Sequence, residues 1–167
     1  MTPLDDQTAN RREHVSQSHG TCRSAPGDIE SRYGRIRRGV IGILRRNDKY
    51  LLIRRAAHVA VGGTWCFPGG HIERHENARR AIIRELREEL GIEVKPVHRL
   101  GAVQGRPDVM LAVWIVEHTG GRMRPDRREV SSVRWYTGAQ IRSLPNGLSS
   151  NHRVVDMLEA RLQNRQE

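Results

Sequence analysis

The pattern of apolar and polar positions divides the chain into an N-terminal segment without periodicity and a longer part with recognisable elements. Residues 1–33 are polar and contain no alternating or helical run of apolar side chains. A segment of this composition buries too little apolar surface to fold by itself. We therefore predict a flexible N-terminal extension over residues 1–33 and one folded domain over residues 34–167.

Short apolar runs bounded by turn residues predict several β-strands in the patterned part. The first two runs are separated by Asn47 and Asp48, which favour a turn. A loop rich in glycine and alanine, residues 56–64, precedes the third run. The run at 109–117 is almost continuously apolar, as expected of a strand buried on both faces. Strands are accordingly predicted at residues 36–44, 50–53, 65–67, 97–104, 109–117 and 130–136.

Helical periodicity is clearest from Glu76 to Leu90, and Gly91 directly after it is a favoured helix stop. Two further helices are predicted at residues 138–143 and 152–163. Because strands alternate with helices at several points, the sequence indicates one mixed α/β layer structure.

The net charge is the unusual feature of the composition. The chain has 29 Lys and Arg residues against 19 Asp and Glu residues, a formal net charge of +10, and a sequence pI near 11.0. So basic a chain favours an anionic partner, and nucleic acid is one candidate. Aromatic residues make up only 4% and no groove-reading helix is apparent, so nucleic acid is not the favoured partner.

Other compositional features bear on the compartment. The only two cysteines, Cys22 and Cys66, lie far apart, which argues against a disulfide framework or a zinc knuckle. Residues 1–25 lack the continuous apolar core of a secretory leader. The longest apolar run, residues 111–116, is too short to cross a bilayer. We therefore expect a cytoplasmic protein without a membrane partner.

Three glutamates on the predicted helix are the first sign of chemistry. Glu85, Glu88 and Glu89 share an arc of roughly 100°, because helical residues three and four apart are neighbours. Like charges this close repel each other unless a divalent cation lies between them. Oxygen ligands without His or Cys suit Mg²⁺, for which Mn²⁺ could substitute. The alternative is a solvated helix face on which the glutamates pair with neighbouring arginines.

The segment before this helix favours the metal-site interpretation. Pro68-Gly69-Gly70 makes a tight approach free of side chains, and its carbonyl groups could complete a metal shell. The chain then reaches Glu76 near the helix N-terminus, where the helix dipole favours an acidic side chain.

These residues form a pattern that resembles the Nudix box at every specified position. Gly70 is followed after five residues by Glu76, and after seven more by Arg84-Glu85-Leu86-Arg87-Glu88-Glu89-Leu90-Gly91-Ile92. Nine fixed or class-restricted positions agree over 23 residues without a gap, which makes the signal specific. Flanking segments also look like Nudix hydrolases, so that the resemblance covers roughly residues 34 to 162.

The resemblance implies a Nudix fold, a mixed β-sheet sandwiched between α-helices with a loop–helix–loop catalytic motif. It also implies Mg²⁺-dependent hydrolysis of the pyrophosphate bond in a nucleoside diphosphate linked to another group. Carried over by position, the metal ligands are Glu85, Glu88, Glu89 and the Gly70 carbonyl, and Glu76 pairs with Arg84 to hold the loop against the helix. One box glutamate such as Glu85, or Glu129 outside the box, would position or deprotonate the attacking water.

Candidate substrate contacts lie on both sides of the box. Arg55 could clamp a phosphate, as could Arg37 or Arg38, although exposed arginines that only keep the chain soluble are the alternative. Trp65 and Phe67 flank Cys66, and we expect one of the two rings to face the core and the other the pocket. Candidates for direct substrate contact are therefore Arg55, Phe67 and His71.

The substrate is a small-molecule nucleotide under this interpretation. Gly-Gly-His after Trp-x-Phe-Pro is similar to a Nudix subgroup that splits (deoxy)nucleoside triphosphates into monophosphate and pyrophosphate, which is the leading hypothesis. A proline at position 107, 15 residues beyond Ile92, resembles the ADP-ribose pyrophosphatases, so an ADP-ribose or nucleotide-sugar substrate stays open. A non-catalytic Nudix-like regulator that binds a nucleotide or nucleic acid is the remaining alternative.

Overall fold

Eight strands and three helices make up the described part of the computed structural model, which comprises residues 28–31 and 34–164. The strands are β1 Asp28–Ser31, β2 Gly34–Ile43, β3 Arg45–Arg46, β4 Lys49–Arg55, β5 Trp65–Cys66, β6 Glu93–Gln104, β7 Val109–Gly120 and β8 Val130–Thr137. The helices are α1 Ala78–Leu90, α2 Gly138–Arg142 and α3 Ser150–Gln163. Elements of both kinds alternate along the chain, which confirms the α/β class.

The strands divide between two four-stranded sheets, one of which is mixed, as the resemblance implies. One sheet has the order β1-β2-β7-β6, in which β2 and β7 run parallel and the other pairs are antiparallel. In the other sheet β4 pairs with β3, β5 and β8, all antiparallel. The parallel pair brings the start of β7, far along the sequence, beside β2, the strand to which the glycine loop of residues 68–70 is hydrogen-bonded.

Two apolar clusters hold the helices to the sheets. Alternate residues of β2 and β4 point to opposite sides, as the two-residue period of a strand requires. Val40 and Leu51 belong to the cluster that includes α1, whereas Ile41 and Leu52 belong to the cluster that includes α3. The sheets therefore lie between α1 on one side and α3 on the other, as the predicted layer arrangement requires.

Helix α1 begins two residues later than predicted, at Ala78. The cause is a local one: the side chain of Asn77 accepts a hydrogen bond from the Arg80 N–H at 3.0 Å, which makes Asn77 the N-cap. Gly91 ends the helix with a φ of 69°, as predicted, and its N–H donates to the Arg87 carbonyl. Glu76 therefore lies in the loop, not on the helix.

Several predicted boundaries and burials differ from the structure. Strand β1 falls inside the expected N-terminal extension and pairs with β2, so the sheet begins before residue 34, while residues 1–27 lie outside the described range. Helix α3 begins two residues before the predicted 152. The expectation that 109–117 is buried on both faces is confirmed for 111–116, where alternate residues belong to or pack against the two apolar clusters, but not at Met110, which is exposed.

The expectation that Trp65 and Phe67 face opposite ways is also wrong. Both belong to the apolar cluster that includes α3, because residues two apart on an extended chain lie on the same side. Cys66 between them belongs to the other cluster and is a free, buried thiol. In the part of the chain that the structure describes, no helix is long and apolar enough to cross a membrane.

Candidate active site

A cavity of about 520 Å³ opens where the glycine loop, α1, β2 and the start of α3 meet. Its wall contains nearly every side chain or backbone group that the sequence singled out, although they come from four separate stretches of chain. Those lining the cavity are Arg55, Phe67, Gly70, His71, Glu85, Glu88, Glu89 and Glu129. The remaining two candidates, Glu76 and Arg84, form a network behind this wall.

The Glu76–Arg84 pair that the resemblance implies is present in the structure. The Arg84 Nη2 donates to Glu76 Oε1 at 2.6 Å and its Nε to Oε2 at 3.3 Å, a two-point contact that fixes the guanidinium plane. The same Nη2 donates to the His71 carbonyl at 2.9 Å. Arg84 therefore ties the loop after Gly70 to the helix, and its hydrogen bond lowers the pKa of Glu76.

Arg84 also reaches the predicted metal ligands. Its Nη1 lies 3.1 Å from Glu85 Oε1 and 2.9 Å from Glu88 Oε2. One guanidinium thus offsets the repulsion between two carboxylates on the same helix face. The predicted alternative of glutamates paired with arginines is correct for this one residue, but the pairing occurs at the cavity wall and not on a fully solvated face.

Glu89 is the most unusual acid of the site because its side chain is almost completely buried, 2% exposed. Its Oε2 accepts a hydrogen bond from the Gly69 N–H at 2.9 Å, and no salt bridge reaches it among the described residues. Burial raises the pKa of the Glu89 carboxyl to about 8, and it also raises the pKa of Glu85, against which Arg84 acts. The Glu129 charge raises both pKa values further, which places it close to the pair.

Replacing Glu89 by its uncharged isostere should stabilise the metal-free protein in alkaline solution. The folded-state pKa of about 8 lies above the ordinary 4.5, so the stabilisation from holding this proton is complete below about pH 4.5 and lost as the pH rises to about 8. Glu89→Gln avoids this loss, and its melting temperature in EDTA should exceed that of the wild type by several degrees at pH 8.5.

The difference should nearly vanish at pH 5, where wild-type Glu89 is protonated. Glu117→Gln, at an exposed position of β7, is the control, since it has no burial to relieve. An equal gain from Glu89→Gln at both pH values would show that packing, and not ionisation, is responsible.

Gly70 lies very close to the carboxylate of Glu85. A Cβ on Gly70 would overlap the Glu85 carboxylate, so a larger residue here would displace that carboxylate from its present position. The Gly70 carbonyl accepts a hydrogen bond from the Val40 N–H at 2.8 Å, which anchors the loop to β2. The same oxygen has a second lone pair that can bind a cation. Its role as a metal ligand stays a prediction.

The donor set fits a hard divalent cation. Glu85, Glu88, Glu89 and Glu129 offer carboxylate oxygens only, the ligand type that Mg²⁺ prefers, and no salt bridge to the buried Glu89 occurs within the described part of the chain. As they stand in the described residues, no three acids, histidines or cysteines converge on one point, because Arg84 occupies Glu85 and Glu88. A bound cation would require these carboxylates to turn from Arg84 toward the cavity.

The predicted substrate contacts differ in what holds them. Arg55 donates from Nε to the Ala60 carbonyl at 2.8 Å, so its position at the cavity is fixed by the loop it closes. His71 lines the cavity and is largely exposed to solvent. The partial burial of its ring and the charges of nearby arginines lower its pKa. Phe67 is 2% exposed, so it combines a core position with a place in the cavity wall. Arg37 is engaged with Asp108 at 2.8 Å.

Sequence reasoning missed a further group of cavity residues. Arg106 adds a second arginine from the β6–β7 turn, Val61 comes from the loop after β4, and Ser149 and Ser150 come from the start of α3. No spacing relation links these positions to the glutamates. The short Gly105–Asp108 turn, with arginine beside the proline, is the one local signal that could have indicated Arg106.

Comparisons with known proteins agree with this site. Residues 35–158 match the family described as NUDIX domain. The chain is 31% identical over 137 residues to the NAD-capped RNA hydrolase NudC of Pseudomonas fluorescens, an alignment that covers 81% of this chain and 49% of that protein. The chain thus spans about half the length of the curated relatives it matches.

Solved structures with the same fold include two MutT proteins. The MutT NUDIX hydrolase of Burkholderia pseudomallei has a TM-score of 0.60 at 25% identity, covering 71% of this chain and 93% of that one. The MutT protein of Methanosarcina mazei has a TM-score of 0.65 at 21% identity, covering 78% and 95%. The chain belongs to the Nudix family.

Proposed function

We propose that this chain uses Mg²⁺ to hydrolyse the pyrophosphate bond of a nucleoside diphosphate derivative, with a (deoxy)nucleoside triphosphate, cut to monophosphate and pyrophosphate, as its first candidate substrate. The observation that supports the proposal is the joint placement of five carboxylates, Glu73 among them, and two arginines around one cavity. Carboxylates suit a cation, arginines suit phosphate oxygens, and a substrate that brings both together is a metal-bound polyphosphate.

The acids of α1 would hold the cation. Glu85, Glu88 and Glu89 project from one face of a helix that Arg84 and the Gly69 N–H fix to the loop. Mg²⁺ bound there would neutralise phosphate charge and lower the pKa of bound water. Because the three ligands come from one rigid element, little reorganisation is needed when substrate enters.

Four further groups that line the cavity would bind the substrate and accept a proton. Arg55 and Arg106 line the same cavity and can donate to phosphate oxygens, and His71 can donate or accept there. Glu129 is exposed at the cavity and carries no salt bridge among the described residues, so its carboxylate can accept a proton from the attacking water. We keep Glu129 as the proposed base, with Glu85 as the candidate within the box.

A dinucleotide pyrophosphate is the second candidate substrate. The observation that favours it is the likeness to NudC, whose name describes hydrolysis of NAD-capped RNA. In such a substrate the scissile pyrophosphate carries a nucleoside on both sides, and the open cavity sets no evident limit on the second group. Pro107 gives the ADP-ribose hypothesis no support from the structure, because it lies in the β6–β7 turn, where its carbonyl accepts from the Gln104 side chain.

The substrate is decided by product analysis. The purified chain is incubated with Mg²⁺ and, separately, the eight common nucleoside and deoxynucleoside triphosphates, NAD, NAD-capped RNA and ADP-ribose. Monophosphate plus pyrophosphate from a triphosphate supports the first candidate, and AMP plus nicotinamide mononucleotide from NAD supports the second. Ribose phosphate plus AMP from ADP-ribose alone would contradict both, and a panel without any cleavage would contradict the proposed reaction.

A further inference from the structure

Val61 stands out in the loop that closes over the cavity beside Arg55. Its φ is 51°, in the left-handed region, where a β-branched side chain is strained. The other described non-glycine residues with positive φ are Asn47, His75 and Asn146, all types that tolerate this conformation better. Gly62 and Gly63 follow directly. Glycine would adopt the conformation of position 61 without strain, yet the chain has valine there.

The loop around Val61 is held firmly. Arg55 donates to the Ala60 carbonyl at 2.8 Å, and Arg54 donates to the Gly63 carbonyl at 3.1 Å. The Thr64 hydroxyl donates to the Val61 carbonyl itself at 2.6 Å. These hydrogen bonds to the carbonyls of Ala60, Val61 and Gly63 fix the backbone of the loop and with it the direction of the Val61 side chain. The surroundings therefore maintain the strain at Val61.

The Val61 side chain points its apolar surface at the cavity. It is 43% exposed, the most exposed of the large apolar side chains in the described residues, and it lines the cavity next to Arg55. With phosphate at Arg55, as proposed, an apolar group one residue beyond the Arg55–Ala60 contact would lie beside the part of the substrate that follows the phosphates. In a nucleotide the group that follows the phosphates is the sugar and base, whose ring faces are apolar.

We propose that Val61 is a specificity-determining residue that packs against the nucleoside part of the substrate. The proposal rests on the proposed function, since it assumes that phosphate lies at Arg55. Valine has no polar atom, so it adds affinity through contact area and does not select one base by hydrogen bonding. The backbone strain is retained because it aims this apolar surface at the bound nucleoside.

The test separates contact with the nucleoside from contact with the phosphates. Kinetics are measured with the nucleotide that gives the highest kcat/KM in the panel above, and inorganic tripolyphosphate serves as a competitive inhibitor without a nucleoside. Val61→Asn accepts the left-handed backbone but removes the apolar surface. Its KM should rise about fivefold, as expected for losing the burial of part of a valine, while kcat and the tripolyphosphate Ki stay within about twofold of the wild type.

Stability and matched variants exclude a merely structural role. The melting temperature of Val61→Asn should equal or exceed that of the wild type, because asparagine relieves the strain. Val61→Ile keeps the surface and should keep the wild-type KM, whereas Val61→Ala should raise KM about threefold. Val97→Asn is the control, since Val97 on β6 is 42% exposed but does not line the cavity, and its KM should not change.

Three results would overturn the proposal: an unchanged KM in both Val61→Asn and Val61→Ala, a parallel rise of KM and the tripolyphosphate Ki, or a fall in kcat at constant KM. If Val61→Asn does not fold, Val61→Ala decides. If the wild type cleaves nothing in the panel, the proposed function fails, and the dissociation constant of dATP in Ca²⁺ replaces KM in the same comparison. Loss of dATP affinity in Val61→Ala then still supports the contact, and equal affinity contradicts it.

Discussion

Glu88→Gln should lower kcat by two orders of magnitude or more while the protein stays folded. Glu88 is exposed at the cavity and makes one ion pair, with Arg84, so its replacement disturbs little of the structure. The amide keeps the shape of the side chain but removes the negative charge that the proposed metal site needs. Initial rates in saturating Mg²⁺ and thermal unfolding curves are the measurements.

The matched control for this variant is Glu93→Gln. Glu93 is exposed to a similar degree, pairs with Arg87 as Glu88 pairs with Arg84, and does not line the cavity. Its kcat should stay within about twofold of the wild type, because surface ion pairs contribute little. Near-native turnover of Glu88→Gln in Mg²⁺ would remove Glu88 from the set of metal ligands.

Arg84→Gln should impair both stability and catalysis. Arg84 joins Glu76, the His71 carbonyl, Glu85 and Glu88, so its loss leaves a group of acids without their shared cation. We expect a loss of about 2 kcal/mol in the free energy of unfolding, because partly buried acids lose their hydrogen-bond donors. The value of kcat should fall at least tenfold, because the loop before Glu76 is no longer tied to α1.

Arg84→Lys separates charge from geometry. Lysine restores a positive charge but cannot form the two-point contact with Glu76, so stability should recover in part and kcat should stay low. Arg87→Gln is the control on the same helix, as Arg87 is exposed and pairs only with Glu93 in the described structure. Wild-type kcat in Arg84→Lys would show that the charge alone is needed and would contradict the positioning role.

The sequence predicted the catalytic helix and its acids because their relation is local. The spacing of Glu85, Glu88 and Glu89 fixes their common face in any helix, and Gly91 stops the helix in the predicted place. The predicted start of the helix was two residues too early because Asn77 is a stronger N-cap than the residue before Glu76. The preference of the first helical turn for acidic residues does not reveal this difference between the two possible N-caps.

The rest of the site depends on contacts between distant segments. Strand β7 pairs in parallel with β2, and the turn before it brings Arg106 to the cavity, which no periodicity in either strand indicates. The position of Val61 depends on how Arg54 and Arg55 fold the loop back on β4. The burial of Glu89 follows from the approach of Gly69, so its raised pKa also required the tertiary structure.

The central claim is that the carboxylates of this cavity support metal-dependent cleavage of a pyrophosphate bond, and one measurement tests it most directly. Phosphorus NMR follows the substrate identified in the panel, first in excess EDTA and then after addition of Mg²⁺. We expect the substrate spectrum to stay unchanged in EDTA and a nucleoside monophosphate resonance to appear once Mg²⁺ is present. Equal rates of cleavage in EDTA and in Mg²⁺ would contradict the claim.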